Sequence, residues 1–169
     1  MDQSDQTMPR EQCVQDVQRM ARRTALLYHY FVTTLVERLG EEKARALTSE
    51  AIQRYGEHIG RTVRQGVEAM GLINDVENYS KYPDLPSVGW EGMVAETEQG
   101  PRQRVLYCPL AAVWKEMDAE ALGRLYCYVD QAKYRAFNPN AELVHTRNVL
   151  DGDPYCEFDV RLIEESADA

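Results

Sequence analysis

Two long amphipathic segments stand near the start of the chain, with a single glycine between them. In residues 10–39, apolar side chains recur at steps of three and four, the spacing of one helical face: Val14, Val17, Ala21, Ala25, Tyr28, Val32, Leu35 and Leu39. Residues 41–70 repeat the pattern with Ala44, Leu47, Ala51, Tyr55, Ile59, Val63 and Met70. Gly40 and Gly71 follow the two segments as natural helix ends. Because so short a connection favours antiparallel neighbours, the sequence predicts a helical hairpin over residues 10–71.

Short alternating segments replace the helical period in the second half of the chain. Two pairs of strands are predicted, each pair flanking a turn: 90–98 with 102–108, and 142–150 with 155–163. Between the pairs, the sequence predicts a short helix from Pro109 and a longer helix over about 119–137.

These elements together predict an α+β domain. Two long N-terminal helices precede a four-stranded antiparallel sheet in β-β-α-α-β-β order, with the helices packed on one face. We expect a single domain over residues 1–169, made of the helical hairpin (10–71) and an α+β sheet portion (90–163). The stretch 74–88 holds two prolines and two tyrosines without a helical period. A loop of this length predicts a cover over a site.

Composition and charge exclude several classes of partner. The net charge of −9 and the pI of about 4.9 argue against nucleic acid and anionic membranes, and no apolar run is long enough to span a bilayer. The four cysteines lack a C-x-x-C pair and the N-terminus lacks a secretory signal, which predicts free thiols in the cytoplasm. No nucleotide-binding signature is present, so we expect no such cofactor; a metal is left open. The tyrosine-rich faces of the long helices would suit a homodimer, and core burial explains them equally well.

A seam of chemically active residues runs along the predicted helix 119–137. Gly123, Cys127, Asp130 and Tyr134 follow one another at steps of four, three and four, so they lie on one line. The carboxylate could accept a proton or hold a cationic ligand, and the thiolate could attack an electrophilic carbon. Alternatively, Cys127 packs in the core while Asp130 pairs with Lys133 or Arg135 on the surface, as its neighbours in sequence allow.

Two further cysteines stand beside turns. Cys108 precedes Pro109, where the start of a helix would lower the pKa of its thiol; the alternative is a cysteine that ends a core strand. Cys156 follows a Gly-Asp-Pro turn and faces the inner side of the last strand. It is interpreted either as a small buried hydrophobe or as part of a pocket wall.

The second helix carries the remaining candidates. His58 faces inward or sideways and Arg61 supplies a positive charge, so both are candidates to bind a substrate. An isolated inward histidine, such as His58 or His145, is more often a core residue than a ligand. Gly56 and Gly60 cost about 1 kcal/mol each relative to alanine, which predicts close helix packing or room for a ligand.

Three motifs in order carry a resemblance to a known family. CPLAAVWKEM, LYCYVDQAKYRAFNP and GDPYCEF resemble the L-2-amino-thiazoline-4-carboxylic acid hydrolase family over about residues 20–160. The resemblance implies a hydrolase that opens a C–N bond in a small cyclic amidine, where water adds at C2 of a thiazoline and yields N-carbamoyl cysteine. With the seam, it suggests that Asp130 holds the protonated amidine and that Cys127 or Cys108 is the nucleophile. Asn138 and Asp153 would polarise water or fix the ring.

A second resemblance supplies the alternative function. GDPYCEF is also similar to the closing motif of 4-vinyl reductase domains, which implies a non-catalytic binder or sensor of small molecules. Those domains often carry another cysteine four residues before the glycine, where this chain has Asn148. Because this second cysteine is missing, the motif is interpreted as part of a pocket wall and not as a metal site built from paired cysteines. The catalytic hypothesis further expects Cys127 and Asp130 to face a shared hollow beneath the sheet.

Overall fold

The computed structural model describes residues 8–163; residues 1–7 and 164–169 of the predicted domain lie outside this range. Helices α1 (Arg10–Leu39) and α2 (Glu41–Ala69) form the predicted pair. Gly40 joins them with a φ of 82°, a left-handed conformation that favours glycine. The buried residues of α1, which are Ala21, Ala25 and Val32, all belong to the predicted apolar face.

The buried face of α2 differs from the prediction. Ala44 and Val63 are buried as predicted, but Leu47, Tyr55 and Met70 are about half exposed, and the other buried positions are Thr48, Ile52, Gly56, Gly60 and Val67. The prediction therefore placed the helix correctly along the chain but assigned its buried face wrongly. Most of the buried residues lie one position further along the chain than the predicted ones. Hydrophobic spacing did not reveal the true face because small residues form much of it.

Gly56 and Gly60 bring α2 into backbone contact with a later helix, α5 (Tyr128–Phe137). A Cβ atom at Gly56 would lie 2.6 Å from both Ala132 Cβ and Val129 O, and one at Gly60 would lie 2.8 Å from Ala136 Cβ and against the Lys133 carbonyl. The close-packing interpretation of the two glycines is therefore confirmed.

Replacing Gly60 by alanine is expected to lower the free energy of unfolding by about 2 kcal/mol, because the added methyl group overpacks against rigid backbone. Alanine also has a higher helix propensity than glycine, which stabilises the folded state by about 1 kcal/mol and offsets part of the cost of overpacking. Gly66→Ala is the comparison on the same helix: its Cβ would also overlap a neighbour, the ring of Tyr82, but that side chain is exposed and can turn aside, whereas the backbone carbonyl of Lys133 cannot. Equal stabilities of the two variants in urea titrations would contradict this account of the helix contact.

The sheet has the predicted antiparallel build. Strands β1 (Glu91–Thr97), β2 (Gly100–Tyr107), β3 (Ala141–Arg147) and β4 (Cys156–Leu162) stand in the order β1-β2-β4-β3. The helices pack against this sheet, with α5 beside β3. The register places Cys156 opposite Val105 and His145 opposite Phe158.

The chain between β2 and β3 forms α3 (Pro109–Glu116), α4 (Glu120–Tyr126) and α5. The helix predicted over 119–137 is thus interrupted at Cys127, where hydrogen bonds from Cys127 N to Arg124 O and from Asp130 N to Cys127 O span three residues. This spacing is that of a tighter 3₁₀ turn. Trp114 of α3 is buried and donates its indole N–H to Ala25 O at 3.1 Å, which fixes α3 on α1.

The predicted loop 74–88 contains a short 3₁₀ helix (Val76–Lys81) and packs on α5. Tyr79 is buried, stacks on Tyr134 with ring centroids 4.2 Å apart, and meets Phe137 edge to face. Further along the loop, Asp84 binds Lys133 of α5. The loop is therefore held against the helix that carries the predicted seam.

The tyrosines of the long helices divide between the core and the surface. Tyr28 packs inward and donates its hydroxyl to Leu122 O at 2.8 Å, whereas Tyr30 and Tyr55 are exposed, as are Leu27 and Phe31. Core burial therefore explains only part of the tyrosine pattern, and the homodimer stays a prediction. Within residues 8–163, no helix is both long and apolar enough to cross a membrane.

Candidate active site

A lysine lies between two carboxylates at the contact of the loop with α5. Lys133 Nζ is 2.8 Å from Asp84 Oδ2 and 3.0 Å from Asp130 Oδ1, and the Lys133 side chain is only 9% exposed. Burial alone would lower the pKa of Lys133, but Asp130 and Asp84 outweigh burial and raise that pKa. Lys133 is therefore a fixed positive charge at neutral pH.

The second oxygen of Asp130 faces a histidine from the sheet. His145 Nε2 lies 3.3 Å from Asp130 Oδ2, and Arg124 Nη1 lies 3.4 Å from His145 Nδ1. Because an arginine can only donate, Nδ1 accepts and the proton of a neutral His145 is on Nε2, which donates to Asp130. Arg124 is itself held by Asp151, with Nε 2.9 Å from Oδ2.

Asp130 is ionised in this setting. Burial tends to raise its pKa, but the charge of Lys133 and the hydrogen bond with His145 together hold that pKa below its usual value. About 27% of its side-chain surface is exposed. A carboxylate offers about four acceptor positions, so positions remain beyond those that Lys133 and His145 occupy.

The charge of this carboxylate acts on three of the four thiols. Cys108 and Cys127 both pack against the core cluster of Trp114 and Ala25, and Cys156 accepts a hydrogen bond from Val149 N at 3.5 Å. The charge of Asp130 raises the pKa of each of these three thiols. All four cysteines are free thiols, as predicted.

Cys108, Cys127 and Cys156 are neutral at physiological pH, because burial raises the pKa of each thiol. Burial raises the pKa of Cys127 to about 12, although the Asn148 side chain and Arg124 act in the opposite direction. Cys108 is the residue before α3, as predicted. The expectation that its pKa is lowered there is wrong: burial raises that pKa and outweighs the backbone N–H groups of Ala111 and Leu110. A helix start favours a thiolate only where the sulfur keeps some access to water.

Asn148 connects the strand turn to this cluster. It is buried, its backbone N–H donates to Asp153 Oδ2 at 2.8 Å, and its Oδ1 accepts from Leu150 N at 2.9 Å. Its Nδ2 has no hydrogen-bond partner in the described part of the chain. The polar side chain of Asn148 nevertheless lowers the pKa of Cys127. Asp153 thus fixes the turn rather than facing the cluster itself.

An apolar pocket of about 440 Å³ lies beside the cluster. Trp90 forms part of its wall and lowers the pKa of Cys108. Tyr126 forms another part, and Lys133 and Asp130 act on its pKa. Leu85 and Pro86 of the loop form a further part of the wall, and the function of the loop as a cover stays a prediction. Cys127 and Asp130 line neither this pocket nor the groove described below, so the shared hollow expected for them is not found in either.

The other predicted site residues lie apart from the cluster or support the fold. His58 is exposed and, two residues from both Gly56 and Gly60, lies on the side of α2 away from α5. Arg61 lines a separate groove of about 960 Å³ between α2, α5 and β3 and lies 3.7 Å from Glu57.

Asn138 and Tyr134 are likewise engaged with neighbours. Asn138 donates to Asn74 O and accepts from Asn140 N, both at 2.9 Å, so it fastens the end of α5. Tyr134 is covered by Tyr79, and burial raises its pKa to about 12. It adjoins Lys133 and Asp130, whose charges act on it.

The structure adds residues that the sequence reasoning did not select: His145, Lys133, Arg124 and Asp84. In a strand, His145 lies on the same face as Leu143, two residues earlier; Leu143 is buried, and this alternation is the signal that could have indicated His145. The sequence indicates Lys133 only as a surface partner of Asp130. No residue near Lys133 in the sequence indicates that its side chain is buried. Within residues 8–163, no three His, Cys, Asp or Glu side chains are grouped to hold a metal ion.

Comparison with known proteins adds one match. The model of the L-2-amino-thiazoline-4-carboxylic acid hydrolase family matches residues 19–160, which include most of α1, all of α2, the loop and the charged cluster. No curated protein matches the chain.

Proposed function

Because the chain belongs to the L-2-amino-thiazoline-4-carboxylic acid hydrolase family, we propose that it opens the ring of a small cyclic amidine, such as a 2-aminothiazoline carboxylate, by adding water at C2. The observation that carries the proposal is the ionised Asp130, which Lys133 and His145 hold in a partly buried position. A carboxylate pairs with a protonated amidine as it does with a guanidinium group, through parallel N–H···O bonds.

Atom balance decides which bond breaks. N-carbamoyl cysteine keeps both nitrogens of the aminothiazoline on C2, so its formation breaks the C2–S bond. Breaking a C–N bond, as first expected from the resemblance, would instead free the amine and give an S-carbamoyl product. The proposal is therefore a hydrolysis at C2–S that releases a thiol.

Water is the better supported nucleophile. A thiol whose pKa is raised to about 12, as that of Cys127 is, holds almost no thiolate at neutral pH. Binding at Asp130 keeps the amidine protonated, which makes C2 more electrophilic. As the water oxygen bonds to C2, one amidine N–H releases its hydrogen bond to Asp130, and a proton of the water passes to the acceptor position that this frees. As the carbonyl forms, the hydroxyl proton of the adduct passes to the departing sulfur, and Asp130 returns its proton to solvent.

Product analysis tests the proposal. Catalytic amounts of the protein are incubated with 2-aminothiazoline-4-carboxylate, and free thiol and free primary amine are measured in parallel against heat-denatured protein. We expect one thiol per ring opened and no new amine. Amine without thiol would show C–N cleavage, and the absence of both would exclude this substrate.

A non-catalytic binder is the second candidate, and the neutral thiols beside an apolar pocket favour it. Such a protein would be stabilised by thiazolines or ureas in thermal-shift assays without consuming them. Stabilisation together with ring opening supports the hydrolase; stabilisation alone supports the binder.

A further inference from the structure

One face of helix α1 carries three large apolar side chains that the described part of the chain leaves open to solvent. Leu27 is 72% exposed, Phe31 is 62% exposed and Tyr30 is 61% exposed. Because they are three and four positions apart, they lie together on one face of the helix. The buried residues of α1 lie on its other side: Ala21, Ala25 and Val32. A contiguous patch of large exposed apolar side chains is typical of a surface that binds another macromolecule.

The polar residues within this face do not oppose its burial. Thr24 lies three positions before Leu27, and Thr34 lies three positions after Phe31, so both belong to the same side of the helix. Each threonine hydroxyl donates to the carbonyl four residues earlier, at 3.1 Å for Thr24 and 2.7 Å for Thr34. Since both donors are already bonded within the helix, covering them leaves neither without a partner.

Two opposite charges flank the face at equal distances from its centre. Arg23 stands seven positions before Tyr30, and Glu37 stands seven positions after it. Seven positions are about two helical turns, so both charges lie on the side of α1 that carries Tyr30, and both side chains are exposed. In an antiparallel pair of α1 helices with a two-fold axis at Tyr30, Arg23 of each copy faces Glu37 of the other. The same pairing brings Leu27 of one copy beside Phe31 of the other.

This arrangement of charges favours a second copy of the chain over an unrelated partner. A two-fold symmetric dimer uses the same surface twice, so that surface has to be complementary to itself. The face of α1 meets this condition, because its centre is apolar and its two ends carry opposite charges. The antiparallel overlap extends over residues 21–39 of α1, which is about 28 Å or five turns of helix.

We propose that the protein forms a two-fold symmetric homodimer in which the face of α1 that carries Leu27, Tyr30 and Phe31 packs antiparallel on the same face of a second copy. Ion pairs between Arg23 and Glu37 at both ends set the orientation of the two helices. The inference rests on the surface of α1 alone and is independent of the proposed function.

Sedimentation velocity of the full chain, over a range of micromolar concentrations, tests the dimer. The parent protein is expected to dimerise. Leu27→Glu is expected to raise the dimer dissociation constant at least about 30-fold, because it places a charge at the apolar centre of the contact. Met70→Glu is the matched control, since Met70 is about half exposed at the far end of α2. A parent protein that stays monomeric over the whole range overturns the inference, as does a Leu27→Glu dimer of unchanged affinity.

Charge exchange tests the antiparallel pairing. Arg23→Glu and Glu37→Arg each place like charges opposite one another at both ends, so each variant alone is expected to dimerise about tenfold more weakly than the parent. An equimolar mixture of the two variants restores both ion pairs in the mixed dimer and is expected to regain the parent affinity. Circular dichroism verifies the fold of each variant. A mixture that associates no more tightly than either variant alone overturns the proposed interface.

Discussion

Replacing Lys133 by methionine is expected to lower the free energy of unfolding by about 3 kcal/mol at neutral pH, the lower end of the cost of removing one partner from a buried ion pair. The reason is that Asp130 and Asp84 then lose the cation between them. Urea denaturation measures the difference. Lys115→Met is the matched control, because Lys115 is exposed on α3 and such substitutions usually stay within about 0.5 kcal/mol.

The effect of Lys133→Met depends on pH in a defined direction. In the parent protein the pKa of Asp130 is lowered, so the stability it contributes is present above the usual carboxyl pKa and is lost as pH falls below it. In the variant, burial without the lysine raises that pKa, and protonation in acid relieves the penalty. The stability difference should therefore be largest near neutrality and shrink towards pH 4, about the usual carboxyl pKa. A difference that stays constant or grows in acid would contradict the ion-pair account.

Replacing Asp130 by asparagine is expected to reduce kcat/KM for ring opening by at least about 100-fold, the lower end of what a positioned proton-transfer group contributes. Asparagine keeps the shape of the side chain but cannot pair with a protonated amidine as an anion. Thiol release from 2-aminothiazoline-4-carboxylate measures the loss, and circular dichroism verifies the fold. A fully active Asp130→Asn protein would exclude the proposed mechanism.

Alanine variants of the cysteines distinguish water from a thiol as nucleophile. Because burial keeps the thiols neutral, Cys127→Ala and Cys108→Ala should each retain most of the activity. Cys13→Ala is the control, since Cys13 lies near the start of α1 outside the cluster. If Cys127→Ala or Cys108→Ala loses as much activity as Asp130→Asn, covalent catalysis by that thiol replaces the water mechanism.

The sequence predicted the fold more fully than the site. In a helix apolar residues recur every three to four positions, and in a strand they recur every two positions. Either repeat can be recognised without knowing which element packs against it. The buried face of α2 was the exception, because backbone packing at Gly56 and Gly60 leaves no apolar side chain for the period to detect.

The sequence by itself determined the order of the elements and the antiparallel sheet, whereas the helical line predicted through Cys127 and Asp130 is interrupted at Cys127. The tertiary structure alone decided what surrounds them. Asp84 lies 49 residues from Lys133 along the chain, and His145 lies 15 residues from Asp130. Spacing along one element shows which residues share a face, but not which charges from the loop and the sheet fold against it. Those charges and the burial around them keep the carboxylate ionised and the thiols neutral.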